Sequence, residues 1–279
     1  MSVMLYETHS HTRLCKHAVG DPTDYAEAAW RRGFDGLTVT CHNAMPNGFS
    51  ASARMGCDEF DEYLRLVFQA RQDWLGRVDV RLGLEADYFP GYESWLAHQL
   101  ELADFQYVLG SVHPQTSEFR ERYWTGDALA FQRLYFRMLA DAAETGLFDC
   151  LSHPDLVKNF TAEAWQPERI LDDIGRTLDR IAAAGVALEL NTSGVNKEVR
   201  EMNPFPRMLE EARARGIPIV IGADAHEPAR VGDGFEAAFE LLECCGYTEF
   251  NYFLQRQRIA VSITAARAEL AARRSKDVE

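Results

Sequence analysis

Apolar and polar positions repeat one rhythm seven times along the chain. The short β-rich runs are Met4 to Thr8, Gly36 to Thr40, Val78 to Leu84, Phe105 to Val112, Phe148 to Leu151, Val186 to Leu190 and Ile217 to Ile221. Most are apolar at consecutive positions, the pattern of strands buried on both faces of a parallel sheet. Each ends in a polar or histidine-containing turn, and an amphipathic helical stretch follows. Asp21-Pro22 opens the first helix, where proline suits the first turn, and Gly33 closes it after a basic pair. Later helices are predicted over Gln166 to Ala184, Phe205 to Arg215 and Gly232 to Cys245, each followed by glycine. An Ala-rich stretch from Thr264 to Arg274 predicts a last helix on the outside, with Ser275 to Glu279 frayed.

Repeated β/α units favour a barrel over an open sheet, although periodicity does not separate the two. No interdomain linker interrupts the rhythm, so residues 1–279 are expected to form one domain. No GxGxxG follows a strand, Val108 to Val112 lacks that spacing, and there is no P-loop.

Composition narrows the function classes. The 279 residues carry 29 Lys+Arg against 43 Asp+Glu, a net charge of −14, with 47% hydrophobic residues. That is a globular composition, not a disordered one. Its acidity disfavours nucleic acid and anionic membranes as partners. No apolar run reaches the length of a membrane span, and the N-terminus has no secretory pattern. Six scattered cysteines with no CxxC pair are expected to be reduced, mostly buried thiols of a cytoplasmic protein.

The histidines carry the chemistry. Of eight, His9, His11, His17, His42, His113, His153 and His226 fall at or just beyond the carboxyl ends of predicted strands. On a β/α barrel those ends meet on one face. Imidazole is the commonest neutral metal ligand, so the pattern points to a metal site. Glu85, in Gly83-Leu84-Glu85, and Asp224, in Gly222-Ala223-Asp224, follow apolar runs, where a carboxylate must be paired or coordinated. His98 lies on a predicted outer helix and reads as a surface residue. Asp87, Glu101, Glu210 and Glu211 read as solvated charges.

The succession E-T-H-S-H, C-K-H, C-H, G-L-E-A-D-Y, G-S-V-H, S-H-P-D and G-A-D-A-H, from Glu7 to about Gly234, resembles the PHP (polymerase and histidinol phosphatase) family. Within it, C-K-H-A, S-H-P-D-L-V-K and N-T-S-G are most similar to the monofunctional histidinol-phosphate phosphatases. The resemblance implies a distorted (β/α)7 TIM-like barrel and a centre of three divalent ions, with Zn, Fe and Mn left open. By carry-over, His9, His11, Glu85 and Asp224 hold one ion. Glu85 bridges to a second, completed by His113 and His153, and His17, His42 and His226 take a third. Glu7 stands where many members have Asp, a position that does not ligate.

Three divalent ions against two carboxylates leave about +4, enough to attract a phosphate within an acidic protein. Paired ions lower the pKa of a shared water toward about 7, which would supply the nucleophile. Asp224 and His226 are the candidate proton donors to the leaving group. Candidate phosphate contacts are Lys158, Arg230, Lys197 and Arg54, the last on Asn43 to Gly56, a possible lid. Where the family often has Arg after N-T-S-G, this chain has Val195-Asn196-Lys197. The activity implied is hydrolysis of L-histidinol phosphate to L-histidinol and phosphate. The alternatives are a phosphoesterase for another small substrate, such as a nucleotide, or a non-catalytic metal-binding scaffold. The oligomeric state is not legible.

Overall fold

A computed structural model describes residues 3 to 276. Seven strands run parallel in sequence order: β1 (Tyr6–Ser10), β2 (Gly36–Val39), β3 (Asp79–Asp87), β4 (Tyr107–Ser111), β5 (Cys150–Leu151), β6 (Ala187–Asn191) and β7 (Ile219–Gly222). The ring closes just past β7. A parallel bridge pairs Ser10 with Ala225, where His11 N donates to Ala225 O at 2.9 Å and Ala225 N to His9 O at 3.0 Å. The architecture is therefore a distorted TIM-like barrel, not an open sheet.

Two further strands lie outside the seven-part rhythm. β8 (Glu249–Leu254) joins β7 in parallel, and β9 (Gln257–Ser262) folds back antiparallel on β8. Phe253 packs with Tyr107, Leu109, Cys150, Ala187 and Val220 in a cluster separate from the main core. Its ring stacks on Tyr107 at 5.3 Å, and Tyr252 stacks on Tyr6 at 4.4 Å. These partners begin or lie early in their strands, so the hairpin seals the end of the barrel opposite the histidines.

Ten α-helices are present among the described residues: α1 (Pro22–Arg31), α2 (Phe60–Asp73), α3 (Glu93–Glu101), α4 (Ser117–Tyr123), α5 (Ala128–Glu144), α6 (Val157–Phe160), α7 (Leu171–Ala184), α8 (Pro206–Ala214), α9 (Phe235–Cys244) and α10 (Ile263–Lys276). Asp21 and Asp24 form a capping box on α1, with Pro22 in its first turn. Pro167 opens a separate short 3-10 turn, so α7 starts four residues later than proline predicted, and Gly185 ends it in the left-handed region. Helix α7 buries Ile174, Thr177, Leu178 and Ile181, spaced to share one face. Helix α10 extends through Ser275 and Lys276, and 277–279 lie outside the described residues. It packs on the barrel through Ile263, Ala266 and Leu270.

Four cysteines are buried as free thiols, whereas Cys57 and Cys244 are exposed. Among the described residues, no helix is long and apolar enough to cross a membrane.

Candidate metal centre

Strand β3 runs three residues beyond its predicted end, which places Glu85 within the sheet, paired with Leu109. Its carboxylate is buried at the middle of the histidine cluster. Oε1 lies 3.1 Å from His153 Nε2 and 3.5 Å from His113 Nε2. Oε2 lies 2.8 Å from His42 Nδ1, 3.5 Å from His9 Nε2 and 3.6 Å from His11 Nε2. Asp224, two residues past β7, puts Oδ1 3.1 Å from His11 Nε2 and 3.5 Å from His9 Nε2. His226 Nε2 stands 2.9 Å from His17 Nε2. All nine candidate ligands thus converge on the carboxyl ends of the strands. His153 and Asp224 reach that face with φ of +24° and +50°, a left-handed backbone that is costly for residues with side chains.

The donor chemistry suits metal ions. Glu85 Oε2, His11 Nδ1 and His42 Nδ1 are buried without an aligned hydrogen bond, the 2.8 Å approach of His42 Nδ1 to Glu85 Oε2 being a charge contact of poor hydrogen-bond geometry. Atoms that could share one ion lie within 4.8 Å in His9–His11–Asp224, His17–His42–His226 and His11–His42–Glu85. Against the cost of burial, the surrounding imidazoles, His42 and His9 first, hold Glu85 well below the usual carboxylate range. Asp224 is held low likewise, by His9, His11 and Lys197. Burial takes His42 down to about 4, and burial with His11 beside it takes His226 down to about 3. Asp224 and His226 therefore present an anionic carboxylate and an uncharged imidazole to the centre, the forms in which such groups bind a metal ion.

The candidate ligands are oriented from behind by main-chain carbonyls and by buried carboxylates that the sequence did not mark for this role. His17 Nδ1 is 2.7 Å from Cys15 O, and His226 Nδ1 is 3.0 Å from Asp224 O. Asp87, expected to be a solvated charge, is instead buried and accepts from His113 Nδ1 at 2.9 Å. It opposes burial and raises His113 to about 10. Glu189 lies against His9, and Glu7 is fully buried, accepting the main-chain N–H groups of His9, Ala223 and Gly232. Burial raises Glu7 to about 7 despite those bonds. The signal that flagged Glu85, a carboxylate within or after an apolar run, applies equally to Glu7 and Glu189.

Of the four candidate phosphate cations, Lys197 lines the cavity, a space of about 250 Å³ bounded by His17, His42, His113, His153, Asp224 and His226. Its Nζ is 3.7 Å from Asp224 Oδ2. The other three point elsewhere. Lys158 is fully buried, bonded to Asp155 Oδ2 at 3.0 Å, Glu201 Oε1 at 3.2 Å and Met202 O at 2.8 Å. Arg54 is buried against Asp87 and Asn43. Arg230 pairs with Asp233 at 3.2 Å. Asn43 to Gly56 is not a free lid, since Asn43, Ala44, Met45, Phe49, Arg54 and Met55 are buried.

A model of the PHP domain matches residues 7–193, two thirds of the chain and six of its seven barrel strands. The chain belongs to the PHP family. It is 40% identical over 251 residues to a probable histidinol-phosphatase of Deinococcus radiodurans, covering 88% of this chain and 95% of that one. It is 27% identical to a histidinol-phosphatase of Bacillus subtilis, covering 83% and 97%. A solved histidinol phosphate phosphatase from Lactococcus lactis, complexed with zinc, L-histidinol and phosphate, superposes with TM-score 0.78 at 19% identity, over 92% of this chain and all of that one. That likeness extends the barrel beyond the span matched by the family model.

Proposed function

We propose that this PHP chain is a metal-dependent phosphomonoesterase that hydrolyses L-histidinol phosphate to L-histidinol and phosphate. The observation that carries it is Glu85, buried with one oxygen facing His113 and His153 and the other facing His9, His11 and His42. The substrate follows from the names of relatives that match it almost end to end.

In this reading His9, His11, Glu85 and Asp224 hold one divalent ion. Glu85, His113 and His153 would hold a second, and His17, His42 and His226 a third; zinc is the ion in the Lactococcus relative. Divalent ions bound there supply positive charge to a phosphoryl group and acidify water at neutral pH. The protein contributes the rest. Neutral His42 and His226 offer lone pairs without a competing proton. Lys197 at the cavity wall supplies a mobile cation for phosphate oxygens. A cavity of about 250 Å³ suits a small phosphorylated molecule. The whole chain is taken as one PHP-type barrel domain working in the cytoplasm.

The test is phosphate release by metal-loaded protein from L-histidinol phosphate, a nucleoside monophosphate, a phosphodiester and an oligonucleotide. The proposal expects histidinol phosphate to be turned over with the highest kcat/KM. No release from it under zinc, iron or manganese loading refutes the proposal, and preference for the nucleotide would reassign the substrate.

A further inference from the structure

Glu189 sits on β6, fully buried, and both of its carboxylate oxygens are used. Oε1 is 2.6 Å from His9 Nδ1. Oε2 accepts from the main-chain N–H of His153 at 2.8 Å and from Asn191 Nδ2 at 2.9 Å. A carboxylate only accepts, so the short contact fixes the His9 proton on Nδ1 and leaves the Nε2 lone pair directed at the centre. There Nε2 faces Asp224 Oδ1 and Glu85 Oε2, each at 3.5 Å. The second oxygen acts on another strand. It holds the N–H of His153, whose φ of +24° is costly for a residue with a side chain.

The neighbouring strand is shaped around this contact. A Cβ on Gly222 of β7 would lie 2.3 Å from Glu189 Oε1 and 2.7 Å from His9 Cβ. Glycine there leaves room for the carboxylate to meet the imidazole.

We propose that Glu189 is a positioning residue that braces the two halves of the metal centre together, setting the tautomer of His9 through one oxygen and the main chain of His153 through the other. This rests on reading His9 and His153 as ligands. It also explains why a carboxylate, and not its amide, is needed. In Glu189→Gln the amide oxygen can serve His9 or His153, but the NH2 group then confronts the other site. If NH2 faces His9, it favours the tautomer with the proton on Nε2, which removes the lone pair from the centre. If it faces His153, it meets two N–H donors.

The experiment loads wild type and E189Q with zinc and reads two quantities. One is zinc affinity, by competition with a chelator and elemental analysis. The other is the protonation of ring nitrogens, by long-range 15N–1H NMR. Wild type is expected to show His9 protonated at Nδ1, with its proton far downfield. E189Q is expected to lose that signal and to bind zinc about 10- to 100-fold more weakly. Zinc-loaded wild type with His9 protonated at Nε2 overturns the proposal, and this reading needs no variant to fold. Folded E189Q with wild-type affinity and an unchanged His9 signal also overturns it. A wild-type chain that takes up no zinc refutes the metal-centre reading itself, and the positioning role with it.

Discussion

Position next to a motif did not decide which cation reaches the cavity; competition for each charge by nearby acids did. Lys158 and Arg54 lie close in sequence to His153 and His42, yet each is consumed by a buried carboxylate. Lys197 is held only loosely, by Asp224 at 3.7 Å, and remains partly exposed at the cavity wall. Replacing Lys197 with alanine is expected to lower kcat/KM for phosphomonoesters about 10- to 100-fold, the worth of one charge-assisted hydrogen bond. Lys197→Arg should recover most of it, because guanidinium serves phosphate as well. Steady-state kinetics at equal metal content checks both, and an unchanged kcat/KM in the alanine variant excludes the role. Behind the ligands, Asp87→Asn removes the anion that His113 and Arg54 share. It is expected to weaken metal retention about 10-fold or more, measured by elemental analysis after dialysis. The nine candidate ligands were legible because histidines at strand ends are rare enough to form a pattern. Asp87 was not, because nothing local distinguishes a buried acid facing Arg54 from a solvated one.

At the scale of elements, the same buried charges that fail as phosphate contacts pin the loops carrying the centre. Lys158 of α6 reaches Asp155, Glu201 and Met202, joining the turn after β5 to the segment before α8. Asp155 also accepts from Asn203 Nδ2 and from Phe205 N. Lys158→Met therefore leaves a buried carboxylate without its cation and should cost about 3–5 kcal/mol of stability. Urea unfolding measures that loss, while KM of the remaining native protein should hold near the wild-type value. A raised KM with unchanged stability would restore Lys158 to the phosphate site. The seven parallel strands were legible from their apolar runs, but the β8–β9 hairpin was not. Its turn is Gln255-Arg256, with φ of +51° and +60°, where Asn-Gly would be the usual signal. Tertiary contacts impose that turn. Gln255 N bonds Gln106 Oε1 at 3.1 Å, Arg256 N bonds Gln106 O at 2.9 Å, and the Arg256 guanidinium reaches Asp149 and Leu147 O. Partners about 100 to 150 residues away leave no local mark on the sequence.

For the whole molecule, the net charge of −14 and the centre act over different distances. In the proposed reading, ions held in the cavity and Lys197 would face the phosphate directly. Farther out, the acidic excess repels any dianion approaching it, an effect that salt removes as the screening length falls from about 30 Å at 0.01 M to about 8 Å at 0.15 M. The two ranges can be separated by choosing substrates with the same phosphate and different overall charge. An aryl phosphate dianion meets the full repulsion, whereas histidinol phosphate carries an ammonium group that offsets part of its charge. Raising ionic strength over that range should increase kcat/KM for the aryl phosphate by about 2- to 5-fold and change it less for histidinol phosphate. Initial rates below KM, with metal content held constant, give the ratio directly. If both rates fall together as salt rises, positive charge governs the approach as well as the site. The acidic surface would then play no part in selecting a substrate with a cationic end.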